Sequence, residues 1–145
     1  MSKIEDFFSS HQEQMLIQSI RVAEKNTSGE IRIHIEEETS KDPLERALEV
    51  FYHLNMEKTD LRNGVLIYIA VQSKKFAIVG DEGINNKVPD NFWDSEKELL
   101  FAHFSKGEFR EGLELAILEV GKKLKEFFPY RSDDMNELSN EISKG

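Results

Sequence analysis

The sequence predicts an α/β fold, a three-layer α/β/α sandwich around a small, Rossmann-like mixed sheet. Helical and strand patterns alternate along the chain, which is typical of a sheet covered by helices on both faces. The run Val65–Val71 is apolar without a break and rich in β-branched residues, so it indicates a central strand buried on both faces. The short polar segment Gln72–Lys75 follows it and favours an antiparallel hairpin. We therefore expect a parallel core extended by an antiparallel hairpin strand.

The first half of the chain reads as helix, strand, helix. Apolar residues recur at helical spacing from residue 4 to about residue 25, where a polar Gly-containing stretch supplies the stop. The segment Glu30–Glu36 alternates between isoleucines and polar residues, which predicts a strand with one buried face. Asp42 is a good N-cap and Pro43 a good first-turn residue, so a second helix should begin there. The apolar positions of this helix are Leu44, Ala47, Leu48, Phe51 and Leu54.

The second half supplies the hairpin and two more helices. The first two strands are joined through a helix, so they should run parallel with a right-handed crossover. Phe76–Val79 is the antiparallel return strand. One helix is indicated around Phe92–Phe104, and the clearest helix of the chain carries an apolar stripe from Phe109 to Phe127 before Pro129 ends it.

Length and composition set limits on the class of protein. The chain has 145 residues, which suits one domain, and we assign residues 1–130 to it. Residues 131–145 are predicted to be a C-terminal tail, weakly helical through Met135, Leu138 and Ile142 or disordered. The chain has no cysteine, which excludes disulfides, thiolate metal sites and cysteine nucleophiles.

The charge balance is acidic, with 28 acids against 19 bases and a net charge of -9. Such a chain repels nucleic acid and anionic lipid surfaces and attracts cations, although acidity also serves solubility alone. The N-terminus lacks the apolar segment of a secretory signal, and the apolar run Val65–Val71 is too short to cross a bilayer. We expect a soluble, cytoplasmic monomer that does not insert into membranes.

Three polar segments are expected to meet at one edge of the sheet. The two parallel strands begin there and the antiparallel strand ends there, which brings together Thr27–Glu30, Thr59–Asn63 and Gly80–Gly83. We call these three segments the rim. Calcium and magnesium take carboxylate and carbonyl oxygens as ligands, and glycines let carbonyls approach closely. The rim therefore predicts a calcium or magnesium site, with the candidate ligands Glu30, Asp60, Asp81, Glu82 and Asp90.

Arg62 and Asn63 lie on the same rim and leave a structural alternative open. Arg62 can pair with Glu30 or Asp60 and hold the loops together without any metal. The cation site and the Arg62 ion pair can be present together. The opposite edge of the sheet has acids of its own, which form either a second cation site or a solvated loop: Glu36, Glu37, Glu38 and Asp42.

Common catalytic motifs are absent from the sequence. It has no glycine-rich dinucleotide or phosphate loop and no nucleophile elbow. The four histidines are scattered, so zinc is not indicated. His34 lies on the polar side of the first strand, where it is either a proton-transfer group or an ordinary surface histidine.

The rim segments in their order and spacing resemble the TPM domain family of thylakoid-lumen, photosystem-repair and modulator proteins. The resemblance runs from about Phe7 to Phe128 and is carried by "TSGEIRIHIE", "TDLRNGVLIYIAVQSKKFAIVGDEGI" and "FREGLELAI". It implies an α/β sandwich with a Rossmann-like sheet and divalent cations bound in the rim loops. The family positions fall on Gly29-Glu30, Arg62-Asn63-Gly64, Gly80-Asp81, Gly83 and Pro89-Asp90.

The resemblance implies two functions. Some members are credited with weak acid phosphatase activity, and others are linked to photosystem repair or receptor assembly. Many members have a signal sequence and a membrane anchor, and we expect this chain to have neither; it has Asp81 and Glu82 where many have a tyrosine between two glycines. The added acids would favour a cation and repel a phosphate ester. We therefore expect a non-enzymatic cation-binding module that supports a protein partner, with a metal-dependent phosphomonoesterase as the alternative.

Overall fold

The computed structural model describes residues 7–130 and 138–145. The helices are α1 (Ser10–Glu24), α2 (Pro43–His53), α3 (Glu82–Asn85), α4 (Asp94–Phe104) and α5 (Phe109–Phe127). The strands are β1 (Glu30–Glu36), β2 (Gly64–Ala70), β3 (Lys75–Gly80) and β4 (Ser143–Lys144). They form one mixed sheet in the order β3-β2-β1-β4.

The sheet has the predicted parallel core and antiparallel hairpin. β1 runs parallel to β2, with Glu30 opposite Gly64. β2 runs antiparallel to β3, with Val65 opposite Gly80. The starts of β1 and β2 and the end of β3 therefore lie at the same edge of the sheet. This is the edge at which the sequence placed the rim.

Helices cover both faces of the sheet, which confirms the three-layer sandwich. On one face the isoleucines of β1 and alternate residues of β2, which are Val65, Ile67 and Ile69, pack with α1, α4 and α5 in a single apolar core. On the other face α2 packs on β2 and β3 through Ala47, Val50 and Phe51. All seven residues of β2 are buried, as expected for a central strand.

The C-terminal segment differs from the predicted weak helix or disordered tail. Ser143–Lys144 form β4, which pairs with β1 in parallel, and the Gly145 N–H donates to the Ile35 carbonyl at 2.9 Å. Without β4, one side of β1 would present unpaired backbone groups, and the added strand satisfies some of them. The part of the predicted helix around Met135 lies outside the described residues.

Two helix predictions need correction. The apolar pattern suggested a first helix from residue 4; residues 1–6 lie outside the described part of the chain, and in the part described α1 begins at Ser10, where Ser9 and Gln12 form a reciprocal capping box. Leu44 and Leu48 share helical spacing with the buried positions of α2, yet they are 50% and 39% exposed. They lie outside the buried face of α2, which is formed by Ala47, Val50 and Phe51.

Candidate functional site at the rim

Backbone hydrogen bonds join the three rim segments. The Glu30 N–H donates to the Asn63 carbonyl at 3.3 Å, and the Asp81 N–H donates to the Gly64 carbonyl at 3.0 Å. The Gly83 N–H donates to the Arg62 carbonyl at 2.9 Å. The loops that the sequence brought together on topological grounds are thus in direct contact.

Gly83 is required by the closeness of two of these loops. A Cβ atom added at this position would lie 2.1 Å from the Leu61 carbonyl oxygen and 2.5 Å from that of Arg62. Both contacts are with backbone, which cannot move aside as a flexible side chain can. Glycine is therefore the residue that lets α3 begin against the loop before β2.

Arg62 holds the two acids of the third rim segment. Its Nε donates to Asp81 Oδ2 at 2.8 Å and its Nη2 to Asp81 Oδ1 at 2.9 Å, in a two-point contact. Its Nη1 donates to Glu82 Oε1 at 2.9 Å. The hydrogen bonds to Asp81 raise the pKa of the Arg62 guanidinium above its ordinary value. The sequence suggested Glu30 or Asp60 as the partner, and the described contacts go to Asp81 and Glu82 instead.

Asp81 is engaged by backbone as well. It is the N-cap of α3, and its Oδ1 also accepts from the Glu82 N–H at 2.7 Å. Its side chain is only 3% exposed, whereas that of Glu82 is 63% exposed. Both carboxylate oxygens of Asp81 are thus occupied, while Glu82 reaches solvent.

Glu30 lies in a different environment from the Asp81–Glu82 pair. It is buried, and its Oε1 accepts from the Leu138 N–H at 2.6 Å. The carboxylate of Glu24, at the end of α1, accepts from the Ile31 N–H at 2.9 Å. Burial raises the pKa of Glu24 to about 7, and the nearby charge of Glu30 adds to the effect. Sequence reasoning missed Glu24 because it sits inside a helical pattern, just before the stop.

Of the remaining candidate residues at the rim, two are exposed to solvent and one is buried. Asp60 and Asp90 are exposed on turns, and Asn63 is buried with its Nδ2 lacking a hydrogen-bond partner. Within residues 7–130 and 138–145, no group of three or more His, Cys, Asp or Glu side chains is placed to hold a metal ion. The five predicted ligands therefore do not form a closed cage as the rim is arranged here.

At the opposite edge of the sheet, Glu36 and Asp42 have structural partners. Arg46 donates to both oxygens of Glu36 at 2.9 Å, and Tyr68 and His34 donate to the same carboxylate. Burial by itself would raise the pKa of Glu36, but these hydrogen bonds lower it to about 2. Asp42 caps α2. Glu36 is thus neither part of a solvated loop nor an open ligand.

His34 is not the ordinary surface histidine that was one of the two sequence expectations. It is 5% exposed, and its Nδ1 lies 2.8 Å from Ser143 Oγ while its Nε2 lies 3.1 Å from Glu36 Oε1. Burial lowers the pKa of His34 below its ordinary value. The residue links β1 to β4, so it is a structural histidine and not a surface one.

These features define a class of protein, a small α/β sandwich with a mixed sheet and polar loops gathered at one edge. The family model of the TPM domain matches residues 2–123, and the chain belongs to the TPM domain family. The resemblance seen in the sequence is thereby confirmed. No helix among the residues described is both long and apolar enough to span a bilayer.

Two solved structures show the same fold. The chain is 48% identical to the BA42 protein of the psychrophilic bacterium Bizionia argentinensis, with a TM-score of 0.92 and coverage of 100% of both chains. It is 15% identical to the N-terminal domain of the cg2496 protein of Corynebacterium glutamicum, with a TM-score of 0.54 over 95% of this chain and 80% of that chain. The second likeness shows the fold alone. A comparison with curated proteins gave no match.

Proposed function

We propose that this chain is a divalent-cation-binding module of the TPM domain family that performs no chemistry and supports a protein partner. The observation that carries the proposal is the contact of three polar loops at one sheet edge, where the Glu82 carboxylate stays 63% exposed. Calcium and magnesium are held by carboxylates, backbone carbonyls and water. The net charge of -9 raises the local concentration of such cations.

The carboxylates of the rim fit a cation that keeps most of its water ligands, and they do not fit one that is surrounded by protein ligands alone. Asp81 is not a free ligand, because Arg62 occupies both of its oxygens. Magnesium commonly keeps several waters and is held by only one or two carboxylates. The exposed acids of these loops would serve in this way: Asp60, Glu82 and Asp90. We therefore expect weak, reversible binding that draws the loops together.

The alternative is a metal-dependent acid phosphatase of weak activity. It requires Arg62 to steady an oxyanion and Asp60 or Asp81 to hold the metal or act as a base. Three nitrogens of Arg62 already donate to Asp81 and Glu82, which leaves the guanidinium poorly placed for a substrate. For this reason we prefer the non-enzymatic module.

Calorimetric titration with calcium and magnesium tests the cation proposal. We expect Glu82→Gln to weaken binding clearly, because it removes an exposed rim carboxylate. Glu98→Gln on the exposed side of α4 removes the same charge elsewhere and should leave the affinity unchanged. Equal weakening in both variants would mean that only net charge matters, and the rim proposal would be wrong.

A phosphomonoester assay separates the two functions. We expect no turnover above the blank, with or without added magnesium. If turnover is found, the phosphatase alternative predicts that Arg62→Ala and Asp81→Asn each lower it by orders of magnitude. Turnover that is unchanged in both variants would indicate a contaminating enzyme.

The outer side of α2 favours the protein-partner part of the proposal. Leu44, Leu48 and Tyr52 are spaced four residues apart on one helix face and are 50%, 39% and 55% exposed. α2 ends at His53, shortly before the rim segment Thr59–Asn63, so the C-terminal end of this stripe points toward the rim. A partner seated on α2 would therefore lie next to the proposed cation site.

A photo-crosslinking amino acid at position 52 tests this surface in the producing cell. We expect a discrete adduct that disappears when Leu44→Ser and Leu48→Ser are added, while a probe at position 98 on α4 gives none. An adduct that survives the two serine substitutions would exclude the stripe. The cytoplasmic location and the monomeric state stay predictions.

A further inference from the structure

The helices α1 and α5 lie side by side and run in the same direction. A Cβ atom added at Gly121, near the end of α5, would lie 2.8 Å from the Cβ of Ala23, near the end of α1. Further toward the N-terminal ends of both helices, Met15 and Ser19 line a shallow groove together with Glu114. The C-terminal ends of the two helices are therefore neighbours on the surface of the molecule.

The residues beside this helix contact show which side of the two helices faces solvent. On one side, the Glu24 carboxylate accepts from the Ile31 N–H of β1, and Val120 is buried, so this side faces the sheet. Val22 and Lys122 lie on the other side by helical geometry, and both are exposed. The second side is the outer side of the helical layer.

Basic and apolar side chains are exposed together on this surface. The C-terminal ends of α1 and α5 carry four exposed cations, which we call the basic end: Arg21, Lys25, Lys122 and Lys125. Leu115 and Leu118 precede the two lysines of α5 at spacings of three and four residues, so they share one helix face with them. They are 43% and 37% exposed, and Val22 on α1 is 39% exposed.

The charge of the basic end is not used by the fold. Within the part of the chain that the structure describes, none of its four cations forms an ion pair. Arg110 holds both Glu111 and Glu114, and the last two turns of α5 contain only two more acids, Glu119 and Glu126. Charges are screened beyond about 8 Å at physiological ionic strength, so the acids on the far side of the domain do not cancel the basic end.

We propose that the outer side of α1 and α5 docks reversibly on a bilayer surface that contains anionic lipid. Two helices lying side by side present a broad surface, and a bilayer can contact both of them at once. The basic end attracts the lipid headgroups, while Val22, Leu115 and Leu118 enter the headgroup region. Because the whole chain has a net charge of -9, only this orientation is attracted, and the binding is weak. The docking does not depend on a cation at the rim.

Sedimentation of the full chain with lipid vesicles tests the proposal. The vesicles contain equal parts of phosphatidylglycerol and phosphatidylcholine, and EDTA is present so that divalent cations cannot bridge the rim to the lipid. We expect the chain to sediment with these vesicles, to do so less as salt is added, and to stay in solution with phosphatidylcholine alone. No sedimentation with the mixed vesicles would overturn the proposal. Binding of soluble polyglutamate without sedimentation on vesicles would assign the surface to an acidic polypeptide instead.

Matched triple variants separate the basic end from net charge. Each basic residue near an anionic surface strengthens binding about fivefold, so removing three should weaken it roughly 100-fold. The test variant combines Lys25→Gln, Lys122→Gln and Lys125→Gln. The control removes three exposed lysines from other parts of the surface and should bind as wild type: Lys74→Gln, Lys97→Gln and Lys106→Gln. Equal weakening in the two triple variants would contradict a local docking surface.

Two further variants exclude a purely structural role for these side chains. Lysines at helix C-termini also offset the helix dipole, so arginine at positions 25, 122 and 125 should keep both the fold and the vesicle binding. Leu115→Ser with Leu118→Ser keeps every charge and should weaken vesicle binding severalfold, because it removes apolar surface from the headgroup region. Unchanged binding in this double variant would mean that the apolar residues do not enter the bilayer, and that part of the proposal would be wrong.

Discussion

At each edge of the sheet, an arginine donates two hydrogen bonds to a buried carboxylate. The two edges differ in what else surrounds that pair. At the opposite edge, Tyr68 and His34 complete the shell around Glu36, which Arg46 already holds. At the rim, Arg62 is shared between Asp81 and Glu82, and Glu82 remains largely exposed. An arginine–carboxylate pair therefore does not by itself mark a site. The rim differs from the opposite edge because one of its carboxylates, that of Glu82, remains exposed to solvent and can accept further contacts.

The carboxyls of the two edges also respond to pH in opposite directions. Glu36 has its pKa lowered to about 2, so its contribution to stability is present above the ordinary value of 4.5 and is lost as the pH falls toward 2. Glu24, beside the rim, has its pKa raised to about 7. Its contribution is present below 4.5 and is lost as the pH rises through 7.

The largest loss of stability is expected at the opposite edge of the sheet, around Glu36. Glu36→Gln should lower the free energy of unfolding by about 3 kcal/mol, because the Arg46 charge loses its buried counter-ion and an NH2 donor replaces one of the two oxygens to which Arg46 and Tyr68 donate. Arg46 is 33% exposed, which keeps the loss at the lower end for a broken buried pair. Urea denaturation measures it. Glu49→Gln removes an exposed partner of the same arginine and should stay near wild type; equal losses would contradict the comparison.

At the rim, the steric contact at Gly83 gives the next largest effect. Gly83→Ala should cost about 1–3 kcal/mol, because the added Cβ would lie within 2.5 Å of the Leu61 and Arg62 carbonyl oxygens and must push the start of α3 away from that loop. Thermal unfolding and the amide shifts of residues 59–64 report the change. A stable variant with unmoved amides would show that the two loops are not in contact in solution.

Glu24 is expected to have a smaller effect on stability, and this effect appears only when the free energy of unfolding is compared at different pH values. Wild type should lose stability relative to Glu24→Gln as the pH rises from 4.5 to about 7, because the Glu24 carboxyl then ionises in the unfolded chain while it still holds its proton in the buried site. Chemical denaturation across this range measures the difference. Parallel curves for the two proteins would mean that Glu24 is solvated.

The smallest expected effect is a change in calcium affinity on substitution of Arg62. Arg62→Gln should bind calcium severalfold more tightly than wild type, because it releases Asp81 and removes a positive charge from the rim. Lys97→Gln changes the net charge equally and should leave the affinity unchanged. A loss of affinity in Arg62→Gln would mean that the arginine organises the cation ligands and does not compete with the ion.

The strands and their meeting at the rim could be predicted from the sequence because they depend on local pattern and chain topology. The unbroken apolar β2 and the short turn after it determine the parallel–antiparallel arrangement. The closed network around Glu36 could not be predicted in this way. Alternation assigns Glu36 and His34 to a polar face, but only the three-dimensional packing reveals that Arg46 and Ser143 bury that face.

The partner of Arg62 was missed for a similar reason. Asp81 lies 19 residues further along the chain, and the one-turn helix that begins after it is too short to produce a periodic signal. The strand β4 has only two residues, which carry no alternation to detect. Long-range polar pairing and very short elements are thus the features that sequence patterns leave open.

The most direct test of the central claim compares the two edges in one experiment. The isotopically labelled chain is titrated with calcium and then magnesium while its backbone amide shifts are followed. We expect saturable shifts at residues 28–30, 59–64 and 80–90 and none at residues 36–42. Saturable shifts at residues 36–42, or no saturable shift anywhere, would contradict the assignment of the rim as the cation-binding edge.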